Sequence, residues 1–109
     1  SAGGADSVLR CGPVSLDMNR QFVQVDGDSI RLTAYEYRVL EYLMLHAGDV
    51  ISKNELSEHL YEDDFDRDSN VLEVLVGRLR KKLDPHKRLH PVETLRGRGY
   101  RFSLERESS

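Results

Sequence analysis

Polar and hydrophobic positions alternate in short runs over the first part of the chain. Four such runs, VLRC, VSLD, QFVQV and SIRL, are separated by Gly12-Pro13, by residues 18–20 and by Asp26-Gly27. An Asp-Gly step between alternating runs is typical of a tight hairpin, because glycine tolerates the positive φ angle that the turn requires. This pattern predicts a small four-stranded antiparallel sheet, in which we find no candidate chemistry.

Helical spacing replaces the alternation after this sheet. Two capping boxes, in which Ser or Thr precedes Glu at the spacing of one helical turn, predict helices that begin at Thr33 and at Ser52. The first helix is expected to end at Gly48 and the second near Leu60, with Val50-Ile51 as a short bridging strand between them.

A third helix is predicted over NVLEVLVGRLRKKL, residues 70–83. Asn70 and Glu73 have the spacing of a further cap, and Asp84-Pro85 is expected to end the helix, since proline cannot continue it. One stripe at helical spacing should be buried: Leu72, Val76, Leu79 and Leu83. Other positions are rotated away from this stripe and expected to be exposed: Val71, Val74, Leu75, Arg78 and Lys82.

Two strands joined by a glycine-containing turn are predicted over VETLRGRGYRFSL. Gly97 and Gly99 permit the turn, and Tyr100 and Phe102 are expected to face the core. The hairpin carries three arginines: Arg96, Arg98 and Arg101. An arginine-tipped hairpin beside a basic helix is typical of a wing.

Together these elements predict one α+β domain of the winged helix-turn-helix class, with an N-terminal four-stranded antiparallel sheet, three helices and a C-terminal β-hairpin wing. The expected boundaries are a linker or cloning remnant over residues 1–7, the winged-helix domain over residues 8–104 and a C-terminal tail over residues 105–109. A chain of 109 residues is long enough for one such domain and too short for two.

Charge is distributed unevenly along the chain, although the net charge is only −3. Residues 78–101 contain nine Lys or Arg and two acidic residues, a net charge of +7, whereas residues 55–73 contain eight acidic residues and one Arg, a net charge of −7. A protein with one basic and one acidic pole can approach DNA with the first. A simple solvated surface is the alternative explanation.

Several other functions find no support in the composition. The apolar runs are too short for a membrane span, and the opening SAGGADS lacks the apolar run of a signal peptide. Cys11 stands alone and can form no internal disulfide, which fits a reducing, intracellular compartment. His86 and His90 have a spacing that could bind a metal on a helix, but the prolines that flank them argue against one, so neither a metal nor a cofactor is expected. No pairing of nucleophile and base indicates an enzyme.

Candidate binding chemistry lies on the third helix and the hairpin. Small apolar side chains can meet thymine methyl groups, and arginine can bond guanine edges or phosphates, so a face of this kind suits the major groove. An arginine also suits a narrow, A/T-rich minor groove. Two ordinary explanations stay open: the cations near the helix end complement the helix dipole, and an RGRG turn alone is more often a plain hairpin.

The loop YEDDFDRD, residues 61–68, sets two aromatic residues, Tyr61 and Phe65, among acidic ones. It can be a solvated loop. Because loops often carry function, it can also be a surface for a basic protein partner.

Several motifs resemble the winged-helix effector domain of OmpR/PhoB-type response regulators. They are CGPVSLD in the sheet, LTAYEYRVLEYL and ISKNEL at the starts of the first two helices, and above all NVLEVLVGRLRKKL followed by TLRGRGYRF. The resemblance runs from about Leu9 to Phe102, and the acidic run DFDRDSNVLEV is especially similar to PhoP-like members.

This resemblance implies sequence-specific binding of double-stranded promoter DNA, with the third helix in the major groove and the hairpin in the neighbouring minor groove. Carried over by position, the residues that face bases are Val71, Val74 and Arg78. Those that face the DNA backbone are Asn70, Leu75, Arg80, Thr94 and Tyr100. The hairpin residue for the minor groove is Arg96, with Arg98 beside it. The loop that faces RNA polymerase comprises Tyr61, Glu62, Asp63, Asp64, Phe65 and Asp66.

Further partners are implied in the same way. The full-length parent is expected to dimerise through a receiver domain and to be phosphorylated by a sensor kinase. It is expected to bind direct repeats in the cytoplasm, at the bacterial nucleoid. The isolated domain is expected to be a monomer.

Two positions depart from the family pattern. Gly77 stands where many relatives carry a polar or basic residue, at a cost of about 1 kcal/mol of helix stability relative to Ala, and Leu75 stands where some carry His or Tyr.

Two other hypotheses fit the same residues. The chain could be a protein-interaction winged helix whose acidic loop and basic face bind proteins, or a transcription regulator with the same effector fold and no receiver domain. A missing band shift with genomic fragments, together with a co-purified protein partner, would favour the first.

Overall fold

The computed structural model of the chain describes residues 7–60 and 69–107. Its N-terminal sheet contains β1 (Val8–Cys11), β2 (Val14–Asp17), β3 (Phe22–Val25) and β4 (Asp28–Ile30), paired antiparallel in chain order. Asp26 and Gly27 connect β3 to β4 with positive φ angles of 54° and 83°, as a tight hairpin turn requires. The predicted sheet and its Asp-Gly turn are confirmed, although β4 begins one residue earlier than predicted and ends at Ile30.

Three helices follow: α1 (Ala34–Leu45), α2 (Lys53–Leu60) and α3 (Ser69–Leu83). The capping box of α1 is confirmed, because the Glu36 N–H donates to Thr33 Oγ1 at 3.2 Å and the Thr33 N–H donates to Glu36 Oε1 at 3.0 Å. The α3 helix begins at Ser69, so Asn70 is its second residue and not the residue before it.

A second, two-stranded sheet forms the wing from β5 (Val92–Leu95) and β6 (Gly99–Phe102). Ile51 pairs with Tyr100 through two backbone hydrogen bonds of 2.7 Å and 2.9 Å. Of the predicted bridging strand Val50-Ile51, only Ile51 forms a bridge, and this bridge ties the wing to the segment between α1 and α2.

One hydrophobic core joins both sheets and all three helices. The predicted stripe of α3 is buried, and Phe102 of β6 is fully buried with it. The stripe residues are each 1% exposed or less: Leu72, Val76, Leu79 and Leu83. Helix α1 contacts α2, α3, β1 and β6. The fold is thus the predicted α+β winged helix-turn-helix.

The segment predicted as a C-terminal tail contacts the first sheet. Arg106 pairs with Cys11 as an antiparallel bridge, and the Glu107 N–H donates to the Arg10 carbonyl at 2.8 Å. Burial raises the pKa of the Cys11 thiol to about 11, so the thiol stays protonated.

Over the described residues, none of the helices combines the length and apolarity needed to cross a bilayer.

Candidate nucleic-acid interface

Helix α3 presents side chains to solvent on the side away from its buried stripe. Val74 is 50% exposed, the largest value among the exposed large hydrophobic residues. Arg78, one turn later, is also exposed, whereas Val71 is half-buried and packs against the core. An exposed β-branched residue followed by an arginine gives this face groups that can meet thymine methyls and guanine edges.

Leu75 does not belong to that face. The helical pattern predicts that it is exposed, but its side chain is 8% exposed and lies in the core. The buried side of an amphipathic helix is usually wider than a single stripe, and Leu75 lies three residues after Leu72 and four before Leu79. That spacing was a signal that could have assigned it to the core.

Arg80 joins α3 to the wing. Its Nε donates to the Val92 carbonyl at 3.0 Å, and a second guanidinium nitrogen donates to Thr94 Oγ1. The structure thus brings together two residues that the sequence analysis assigned to the DNA backbone, one on α3 and one on β5. An arginine and a hydroxyl side by side are both hydrogen-bond donors for a phosphate oxygen.

Lys82, predicted to be exposed, has a partly exposed side chain (37%), and its ammonium group binds a buried carboxylate. Its Nζ lies 2.6 Å from Glu36 Oε1, and the Glu36 side chain is only 1% exposed. Burial alone would raise the pKa of Glu36, but hydrogen bonds from Lys82 and Thr33 outweigh it and lower that pKa below its usual range. The pair links the start of α1 to the end of α3, which no local sequence pattern could reveal.

The wing tip carries two exposed arginines, Arg96 and Arg98, on either side of Gly97. Gly97 has a φ angle of 74°, and the Arg98 N–H donates to the Leu95 carbonyl at 2.9 Å, which closes the turn. The third arginine of the hairpin, Arg101, is instead paired across the wing with Glu93 at 2.6 Å. Among residues 7–60 and 69–107, neither Arg96 nor Arg98 forms an ion pair, so the wing presents these two cations at its tip.

Tyr100 differs from the role predicted for it at the DNA backbone. Its side chain is 2% exposed, and burial raises the pKa of its hydroxyl. Phe102, two residues along the same strand, is buried as well. Alternate residues of a strand face the same side, so the ring of Tyr100 follows the core face of β6, as its hairpin pattern predicted.

Other predicted site residues lie outside the described residues. These are the side chain of Asn70 and the whole segment 61–68, which contains Tyr61, Glu62, Asp63, Asp64, Phe65 and Asp66. Within residues 7–60 and 69–107, no group of three or more His, Cys, Asp or Glu side chains could hold a metal ion.

The chain matches a known family over most of its length. The family described as "Transcriptional regulatory protein, C terminal" matches residues 27–102. The chain is 50% identical over 103 residues to the two-component response regulator PhoP of Pseudomonas aeruginosa, covering 94% of this chain and 46% of that protein. It is 38% identical over 104 residues to the transcriptional regulatory protein PhoP of Escherichia coli K12, covering 95% of this chain and 47% of that protein. The chain thus spans about half the length of these curated relatives.

Solved structures of DNA-binding domains have the same fold. The DNA-binding domain of Klebsiella pneumoniae RstA, crystallised in complex with the RstA box, superposes with a TM-score of 0.77 at 26% identity, over 88% of this chain and 96% of that one. The DNA-binding domain of E. coli CpxR superposes with a TM-score of 0.76 at 32% identity, over 90% and 98% of the two chains. This chain belongs to the family of C-terminal DNA-binding domains of OmpR/PhoB-type transcriptional response regulators, a family of regulators and not of enzymes.

Proposed function

We propose that this effector domain reads promoter DNA with α3 in the major groove and the wing in the neighbouring minor groove. The observation that carries the proposal is the bonding of Arg80 to both Val92 and Thr94. It holds the wing against α3, so one duplex can meet both elements.

Each side chain kept in the proposal receives a role from its chemistry. Val71 and Val74 meet base edges, and Arg78 bonds a guanine edge. Arg80 and Thr94 share one phosphate, while Arg96 enters the minor groove with Arg98 beside it. Asn70, at the start of α3, keeps its proposed contact with the DNA backbone. The proposal omits Leu75 and Tyr100, because their side chains are 8% and 2% exposed.

The remaining partners extend the proposal to the whole protein. The relatives named above are about twice as long as this chain, which supports a parent with a receiver domain. In that parent, a sensor kinase phosphorylates the receiver, the receiver mediates dimerisation on direct repeats, and the segment 61–68 meets RNA polymerase. Because promoter DNA lies in the bacterial nucleoid, the proposal locates the protein there, in the cytoplasm.

The test begins with selection of genomic fragments that bind the chain, followed by footprinting to define the operator. Affinity for the operator is then measured over a range of salt concentrations. Because each neutralised phosphate releases counterions, the logarithm of the affinity should fall with the logarithm of the salt concentration by about 0.9 per phosphate contact. Arg80→Gln should lower this slope by about one contact. An affinity that does not depend on salt, or no selected fragment at all, would refute the proposal.

A further inference from the structure

A cleft of about 590 Å³ lies between the end of α3, the connection to β5 and the wing. Leu89, Pro91 and Val92 supply an apolar lining, and Lys81 and Lys87 line it with charge. Its volume falls in the range of about 300–1,000 Å³ that small-molecule sites occupy. The DNA interface proposed above uses two of its lining residues, Arg80 and Thr94.

The wall of the cleft formed by residues 84–91 is held in one shape. The Asp84 carboxylate accepts hydrogen bonds from the backbone N–H groups of Arg88, Leu89 and His90, at 2.8, 3.1 and 3.0 Å. Lys87 and His90 have positive φ angles of 55° and 47°, which non-glycine residues seldom adopt. A ligand would therefore meet a wall that is already formed, so little ordering accompanies binding.

The charges around the cleft do not cancel. The lining has two acidic residues, Asp84 and Glu93, and Glu93 is paired with Arg101. Asp84 keeps its negative charge, because its hydrogen bonds come from neutral backbone N–H groups, but three basic residues of the lining outnumber it: Arg80, Lys81 and Lys87. Within the part of the chain that the structure describes, no hydrogen bond or ion pair engages the ammonium groups of Lys81 and Lys87. An apolar lining with two unpaired cations complements an anion attached to an apolar body.

We propose that this cleft binds a small organic anion with an apolar body, such as an aromatic or aliphatic carboxylate. Because Arg80 and Thr94 line the same cleft, the bound anion competes with the phosphate assigned to them and weakens DNA binding. This second step rests on the proposed function, whereas the binding itself does not.

The test titrates the complete chain with naphthoate and follows the amide chemical shifts by NMR. Shifts should concentrate at residues 87–94, because the apolar body lies against Leu89 and Val92. The neutral analogue naphthamide should bind more weakly for lack of charge, and acetate should not bind measurably for lack of an apolar body. Equal binding of naphthoate and naphthamide, or shifts centred elsewhere, would overturn the proposal.

Matched variants separate the cleft from general electrostatic attraction. Lys81→Gln combined with Lys87→Gln should weaken naphthoate binding about fivefold, as expected for two exposed charge pairs. Arg31→Gln, which removes an exposed cation that is not part of the cleft lining, should leave it unchanged. Equal effects of both changes would contradict a specific site.

Two further measurements identify what occupies the cleft and how its binding affects DNA binding. Naphthoate should raise the Kd for operator DNA, and the double variant should need about fivefold more naphthoate for the same rise. Binding in the cleft with no effect on the Kd would overturn the competition.

A chain that binds no DNA would overturn the proposed function, while the NMR titration would still test binding in the cleft. Shifts with a peptide of residues 61–68, but none with naphthoate, would assign the cleft to protein docking and overturn the proposal.

Discussion

Individual cations near the end of α3 have different surroundings, and these decide what each can do. Arg78 is exposed, Arg80 is bonded to the wing, and Lys82 is paired with the buried carboxylate of Glu36. Sequence alone assigned Arg78 and Lys82 to one exposed face, since neither residue differs from the other in local pattern. The partner of Lys82 is 46 residues away in the chain, so only the folded structure identifies it.

The pair between Lys82 and Glu36 predicts a stability effect that depends on pH. Lys82→Met should lower the free energy of unfolding at neutral pH by about 2 kcal/mol, because it leaves a buried carboxylate without its cation. The lowered pKa of Glu36 means that its contribution is present above the usual carboxyl pKa of about 4.3 and is lost as the pH falls through the folded value. The difference between wild type and variant should therefore shrink on acidification, as measured by urea unfolding at a series of pH values.

Lys81→Met is the control for this effect, since Lys81 is exposed. It should change the free energy of unfolding by less than about 0.5 kcal/mol. If Lys82 stabilises the fold and does not contact phosphate, Lys82→Met should also leave the salt dependence of DNA binding unchanged. A Lys82→Met domain as stable as wild type at neutral pH would contradict the assignment.

At the level of elements, the wing is fixed at both of its strands. Arg80 bonds to β5, and Ile51 pairs with β6 at Tyr100. The second contact brings backbones so close that a Cβ on Gly99 would lie 2.0 Å from the Ile51 carbonyl oxygen. Gly99 also has a φ angle of 143°, so an L side chain is strained there in any case.

This close approach predicts opposite effects of alanine at two glycines. Gly99→Ala should destabilise the domain by about 2 kcal/mol or more, because the added methyl group meets backbone that cannot yield cheaply. Gly77→Ala in α3 should stabilise it by about 1 kcal/mol, since alanine favours helix and nothing lies within 4 Å of the added Cβ. Thermal unfolding of the two variants, compared with wild type, measures both effects. Equal stability of Gly99→Ala and wild type would refute the role given to Gly99.

Elements were predictable from the sequence because their signals are local. The Thr33 capping box, the Asp26-Gly27 turn and the leucine stripe of α3 each depend on residues a few positions apart. The predicted sites were less accurate where burial depends on the neighbouring element. Leu75 and Tyr100 were carried over by position as DNA contacts, although their own spacing, to Leu72 and to Phe102 respectively, indicated the core.

The whole molecule carries a net charge of −3 and belongs to a family of DNA-binding domains. Its basic residues are concentrated in α3, the wing and the connection between them, so the field near these elements is positive although the sum is negative. Two carboxylates near these elements are paired with cations, the buried Glu36 with Lys82 and the exposed Glu93 with Arg101. The sequence predicted the two poles, but only the contacts of the described residues show which cations are paired.

We propose that α3 reads base sequence through Arg78, and a comparison of two duplexes measures this. The affinities of wild type and Arg78→Ala are measured on the operator and on a random duplex of equal length at the same salt concentration. Loss of a guanine contact should weaken operator binding by about 1 to 3 kcal/mol and random-duplex binding much less, so that specificity falls. Equal losses on the two duplexes, or no loss on the operator, would contradict the claim that Arg78 reads a base.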